Sequence, residues 1–301
     1  MSQACSEVIV TLAARDRRQL AADFVALTKP RVVVMVLVTT LMGYDVALTG
    51  PADYLRMIHL LIGSLLAAGG TLALNQHWER DLDARMERTR ARPLPAGRLQ
   101  PLEAWLFGAT LTLLGTAYLA ALVGPLAALV TLATTILYLF AYTPLKRRTP
   151  LSTLVGAVAG ALPPVAGWAA ARGDVTLGAW ILFAILFLWQ LPHTLAIARL
   201  YRDDYARAGV RVLPVVDPDG ASTERQVVLA CVALVSVSLL PAVAGWTGPI
   251  YLAGAVLLGL AFCAVGVQQA LVPSARAARH VLLASLVYLP LLLGLMAFDR
   301  I

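Results

Sequence analysis

The stretch Asn75-Gln-His-Trp-Glu79-Arg-Asp81-Leu-Asp83 holds the densest set of oxygen donors in the chain. If it is helical, Asn75, Glu79 and Asp83 recur every four residues and share one face. Three oxygen donors so arranged suit Mg²⁺, a hard cation that keeps several waters and binds substrate phosphates. Asp81 falls on another face and joins the set only if the helix end bends. Downstream, Arg88 and Arg92 can neutralise diphosphate oxygens, bidentately where geometry permits. The competing reading is a solvated, salt-bridged helix end. Asn75 counts against it, because it closes an apolar segment, where polar groups tend to serve function.

A second polar stretch reads Trp189-Gln-Leu-Pro192-His193 and then Tyr201-Arg202-Asp203-Asp204-Tyr205. At about 100° per residue, Trp189, His193 and Asp204 fall on one helical face, although Pro192 is expected to kink the segment. A histidine in an apolar span needs a partner, a metal or a cofactor. A hydrogen bond inside a helix bundle satisfies that need equally well. Two acidic clusters on the same side of a bundle suggest one shared site. Carboxylates, Mg²⁺ and arginines at its mouth, with apolar helices below, fit a lipid diphosphate.

The elements that must position these residues are apolar helices. The 301 residues are 59% hydrophobic and 14% charged, with a mean hydropathy of +0.77. Soluble domains carry about 25% charged residues, so a soluble enzyme, a disordered chain and a nucleic-acid binder are excluded. The net charge of +7 sits in loops between apolar runs and suits a bilayer surface. Cys5, Cys231 and Cys263 form no paired framework.

Nine segments are long enough to span a membrane, near residues 32–49, 57–76, 103–123, 125–142, 152–171, 176–196, 227–246, 249–270 and 280–298. The fold class expected is an all-α polytopic membrane protein of one domain, residues 1–301. Segment 1–27 precedes the first span, and polar loops 77–102 and 197–226 carry the two clusters. With nine spans, 21 of the 24 basic residues fall on one side, which makes the N-terminus cytoplasmic. Residues 1–27 contain Glu7, Asp16 and Asp23 and read as neither a secretory signal nor a transit peptide. That favours a bacterial cytoplasmic membrane. Asp45 is expected to reach the opposite interface.

These residues resemble the UbiA superfamily of intramembrane prenyltransferases, and within it the branch that farnesylates protohaem IX. The motifs, in order, are Leu27-Thr-Lys29-Pro30-Arg31, the Asn75/Glu79/Asp83 stretch, and Met86-x-Arg88-Thr89-x-x-Arg92-Pro93. They continue with Tyr142-Thr-Pro-Leu-Lys146-Arg147, Gly160-Ala-Leu-Pro163-Pro164, Trp189-Gln-x-Pro192-His193 and Asp204-Tyr205-x-x-Ala208-Gly209. Glu79 stands where the family pattern has Asp, and the second cluster lacks a clean Asp-x3-Asp.

The resemblance implies a UbiA-like bundle that transfers farnesyl from farnesyl diphosphate to a vinyl group of haem b, with Mg²⁺ as cofactor. It implies metal or catalytic roles for Asn75, Glu79, Asp83 and Asp204, with Asp81 and Asp203 as further metal candidates. Arg88, Arg92, Lys146, Arg147 and Arg202 become diphosphate ligands, His193 and Trp189 haem contacts, and Tyr138 and Tyr142 stabilisers of an allylic cation. Haem-copper oxidase assembly factors are the implied protein partners. Plainer readings stand beside these: Lys146 and Arg147 as a positive-inside anchor, and the two tyrosines as an interfacial belt. Pro163-Pro164 is expected to kink the fifth span. The rival functions are a UbiA-type enzyme with an aromatic quinone-precursor acceptor, and a secondary transporter.

Overall fold

The computed structural model describes residues 17–301. Cys5, Glu7 and Asp16 lie outside the described residues. A short helix, Arg17–Leu27, precedes nine helices that are long and apolar enough to cross a membrane. They are α1 (Pro30–Ala47), α2 (Tyr54–Asp83), α3 (Pro101–Leu122), α4 (Pro125–Leu145) and α5 (Ser152–Arg172), then α6 (Leu177–Leu200), α7 (Ala221–Val243), α8 (Pro249–Leu271) and α9 (Ala275–Phe298).

Local sequence explains the helix starts. Proline opens α1, α3, α4 and α8, where the missing N–H costs no hydrogen bond. Asp53 and Ser274 cap α2 and α9 through their side-chain oxygens. Proline also divides α5: its first half ends at Ala161, and the second starts at Pro163.

Helices in lipid gain little from hydrophobic burial against each other, so close backbone approach becomes important. A Cβ on Gly115 of α3 would lie 2.4 Å from the Ala67 backbone nitrogen of α2. On Gly167 of α5 it would lie 1.9 Å from the Thr40 carbonyl oxygen of α1. Only glycine permits these two crossings. The largest core cluster centres on Trp168, Ile185, Tyr251 and Tyr288, and it ties α5 and α6 to α7, α8 and α9.

Three elements differ from their sequence-based bounds. Helix α2 runs on to Asp83, so its polar stretch is helical and not loop. Helix α6 passes unbroken through Pro192 to Leu200, whereas Asp204 belongs to a separate short helix, Arg202–Arg207. The shared face therefore holds for Trp189 and His193 but not for Asp204. Helix α4 contains a π-helical turn over Leu137–Tyr142, which widens the spiral where two tyrosines face inward.

Asp45 meets the chain's other end. Its carboxylate lies 3.7 Å from the Arg300 guanidinium, which also donates to the Asp45 carbonyl at 2.5 Å. The contact closes the end of the bundle remote from the polar loops.

Candidate active site

A cavity of about 600 Å³ lies between the helices and opens at the end where α2 and α6 carry their polar residues. Its deeper wall is built largely from threonines that behave as apolar groups. Thr39 and Thr71 donate to carbonyls one turn back, at 3.0 and 2.8 Å. With its hydrogen so spent, Thr71 Oγ1 accepts from Thr135 Oγ1 at 2.8 Å, a bond between α2 and α4. With their hydroxyls committed, these side chains turn mainly methyl surface to the cavity.

The mouth is polar. Asn75, Glu79 and Asp83 are all buried on one face of α2, and Glu79 and Asp83 line the cavity. Asn75 accepts from Lys29 Nζ at 3.0 Å and donates to Thr143 Oγ1 at 3.1 Å. Thr143 in turn donates to the Tyr138 carbonyl at 2.8 Å, holding the π-helical turn to α2. Glu79 Oε1 pairs with Lys146 Nζ at 2.6 Å, and Asp83 Oδ2 with Arg92 Nη1 at 2.7 Å. Each carboxylate thus has one ion-paired oxygen and a second that makes no ion pair among the described residues.

Five cations line the cavity, Lys29, Arg31, Arg88, Arg92 and Lys146, against the two carboxylates. Burial and the nearby Arg92 guanidinium push Lys29 down to about 7, so near neutrality its full charge depends on an anion beside it. Burial also opposes the charge on Lys146, but the Glu79 carboxylate outweighs it and holds this lysine well above its ordinary value. The mouth is built for a polyanion.

Lys29 is held in a left-handed conformation, φ 50°, costly for a residue with a Cβ. Gln76 fixes that bend by donating to the Ala26 and Leu27 carbonyls at 3.2 and 2.9 Å. In the sequence Lys29 counts among the 21 basic residues on one side of the membrane; the fold makes it part of the mouth.

The other predicted residues divide clearly. Arg88 lines the cavity, with its guanidinium 4.6 Å from the Tyr201 ring centroid and donating to Tyr205 Oη at 3.2 Å. Tyr138 and Tyr142 line the cavity, 5.1 Å apart, with the Lys146 ammonium 4.3 Å from the Tyr142 ring centroid. They face the site and not a membrane interface. Trp189 and His193 line the opposite wall, their rings stacked at 4.8 Å.

Asp81 points away from the cavity, its side chain 85% exposed and 3.6 Å from Arg80. Arg147, Arg202 and Asp203 are exposed and do not line the cavity. Asp204 is buried beside the loop that follows α2. It accepts from the backbone N–H groups of Glu87 and Arg88 at 3.3 and 3.4 Å and pairs with Arg207. Those contacts offset the burial that opposes its charge and hold its carboxyl below the usual range. Tyr205, in the sequence only a motif residue beside Asp204, reaches the cavity because the loop folds back. Arg211 N–H donates to the Lys146 carbonyl at 2.8 Å, stitching the loop after α6 to the end of α4.

Among the described residues there is no group of three or more His, Cys, Asp or Glu side chains placed to hold a metal. The donors present are hard oxygens, two carboxylates and one amide, on one helix face. That set fits Mg²⁺ in the mode where substrate phosphates and water complete its shell.

Residues 36–297 match the UbiA prenyltransferase family. The protoheme IX farnesyltransferase of Solibacter usitatus is 50% identical over 287 residues, 92% of this chain and 98% of the relative. That of Koribacter versatilis is 42% identical, covering 93% of this chain and 94% of the relative. Among solved structures, a digeranylgeranylglyceryl phosphate synthase superposes with a TM-score of 0.79 at 16% identity, covering 93% of this chain and 98% of the other. A UbiA homologue from Archaeoglobus fulgidus, bound to GPP and Mg²⁺, gives 0.62 at 15% identity, covering 91% and 99%. The last two likenesses concern the fold. The family match and the relatives set the transporter reading aside.

Proposed function

This chain belongs to the UbiA prenyltransferase family, and from that premise we propose that it transfers the farnesyl group of farnesyl diphosphate to a vinyl group of haem b, forming haem O. The carrying observation is the mouth itself: five cations around two buried carboxylates, above an apolar cavity. A diphosphate matches the cation excess, and a prenyl tail matches the methyl-lined pocket beneath it.

Glu79 and Asp83 hold Lys146 and Arg92 toward the mouth. With Lys29 and Arg88, these cations take up the charge that develops on the departing diphosphate, and being already in place they need little reorganisation. Asn75, Glu79 and Asp83 are the residues that would hold Mg²⁺, which supplies further neutralisation of the leaving group. Tyr138 and Tyr142 turn π surface toward the allylic carbon and stabilise its positive charge. The acceptor vinyl group forms the new C–C bond, water adds at the adjacent carbon, and a proton leaves. Trp189 and His193 provide the wall for the macrocycle.

Asp204 serves this site as a brace for the 84–92 loop. By the positive-inside argument, site and N-terminus face the cytoplasm of a bacterial cell, and haem-copper oxidase assembly factors are the partners this role implies. Labelling of single-cysteine loop variants from either side tests the orientation.

The deciding experiment incubates purified protein with reduced haem b, farnesyl diphosphate and Mg²⁺ and resolves haem products by chromatography and mass. Haem O from the wild type, absent with Glu79→Gln and Asp83→Asn, is the expected result. Diphosphate release with unmodified haem would move the acceptor to another aromatic class. No product of either kind from folded protein would overturn the reading.

A further inference from the structure

Ser285 is the single serine within α9, completely buried in its apolar run. A hydroxyl there has one hydrogen to donate and must spend it on a partner. Ser285 Oγ donates to the Leu282 carbonyl at 2.6 Å. Its other contact, 2.8 Å from His193 Nδ1, must therefore be one in which the serine oxygen accepts. The proton of the His193 ring thus sits on Nδ1. A neutral imidazole has a single N–H, so Nε2 keeps its lone pair.

The same residue also holds the neighbouring ring. Trp189 Nε1 donates to the Ser285 main-chain carbonyl at 2.8 Å, and the indole lies over the His193 imidazole at 4.8 Å and 20°. Ser285 thereby fixes the tautomer through Oγ and the ring plane through its backbone. His193 lines the cavity, and its Nε2 has no hydrogen-bond partner among the described residues. Leu286 and Leu289 of α9 line the same region, so water does not compete well for that lone pair. An oriented, unpaired imidazole nitrogen in an apolar wall is a ligand for a metal centre with an open axial position.

We infer that Ser285 is a positioning residue that presents His193 Nε2 to the iron of the metallotetrapyrrole substrate. This rests on the acceptor named under Proposed function. An acceptor bond to Nδ1–H raises the basicity of the ligating nitrogen, as partners behind metal-bound histidines do elsewhere. It also fixes where the macrocycle stops against the wall, and so which edge faces the mouth.

The test titrates haem b into the full-length protein in detergent and reads the Soret band and, for the ferrous complex, the iron–histidine stretch by resonance Raman. Wild type should show one histidine ligand. His193→Gly should lose that signature and regain it with added imidazole. Ser285→Ala removes only the acceptor on Nδ1, since Trp189 is bonded to the backbone. It should keep histidine ligation with a lower stretching frequency and bind haem about tenfold more weakly, and Ser285→Thr should restore the frequency. An unchanged frequency in Ser285→Ala, or an unaltered spectrum in His193→Gly, would overturn the inference and leave the proposed reaction of the wild-type protein standing. If wild type neither binds haem nor makes haem O, the functional reading falls and takes the inference with it.

Discussion

Glu79 and Asp83 meet their cations across the wall of a cavity, whereas Asp204 meets its own inside a folded loop. The first two are buried on a long helix, and each leaves one oxygen outside any ion pair. Asp204 is just as buried, but its oxygens close on the backbone of Glu87 and Arg88 and on Arg207. One acidic region offers charge to a ligand, and the other consumes its charge in holding the chain. Similar burial and the same chemistry thus serve a cavity wall in one place and a brace in the other. What separates them is where the carboxylate's partners sit: Arg92 and Lys146 line the cavity beside Glu79 and Asp83, whereas Asp204 spends its oxygens on the backbone of a distant loop and on Arg207.

The sharpest contrast should come from isosteric neutralisation. Glu79→Gln and Asp83→Asn should each lower kcat by about a hundredfold or more, the scale of losing charge stabilisation at a reacting centre. Circular dichroism and detergent gel filtration should show a retained fold; a variant with a few-fold loss would erase the distinction drawn above. Next in size is Lys146→Met, which strands the Glu79 carboxylate and removes a diphosphate contact. A loss of about tenfold to a hundredfold, felt partly in KM for the prenyl diphosphate, is expected from kinetics at saturating acceptor.

Asp204→Asn should act through the loop. Activity should fall about tenfold, accompanied by faster proteolytic cleavage within residues 84–100, which Glu79→Gln should leave unchanged. If Asp204→Asn abolishes activity without loosening the loop, it acts as a ligand and the comparison fails. The smallest effects belong to Asp81→Asn, Asp203→Asn and Arg147→Ala. Exposed charges of this kind are worth little, so each should stay within about twofold of wild type.

Much of the bundle is legible without coordinates, because a membrane-spanning helix must announce itself by length and hydropathy. All nine spans appear close to their expected places. The main discrepancy concerns α2, whose last turn and more is polar yet helical. A hydropathy reading ends a span where polarity begins, whereas backbone hydrogen bonding continues while side chains find partners. Lys29 and Ser285 were harder to see. Lys29 reads as a surface cation until Gln76 bends the segment before α1, and Ser285 is one small hydroxyl among aliphatic residues. Its signal was its polarity inside a span.

Residue types and spacing alone specify the solvent, the count of spans, the four-residue repeat of Asn75, Glu79 and Asp83, and the pairing of Trp189 with His193. Each depends on local periodicity or on transfer of side chains from water to lipid, which needs no partner to be known. Which charges share the cavity is set by how the helices pack. Lys29, Arg92 and Lys146 come from three separate segments of the chain, and the ring nitrogen of His193 is set by a serine 92 positions away. Such choices depend on distances between segments that no local pattern encodes.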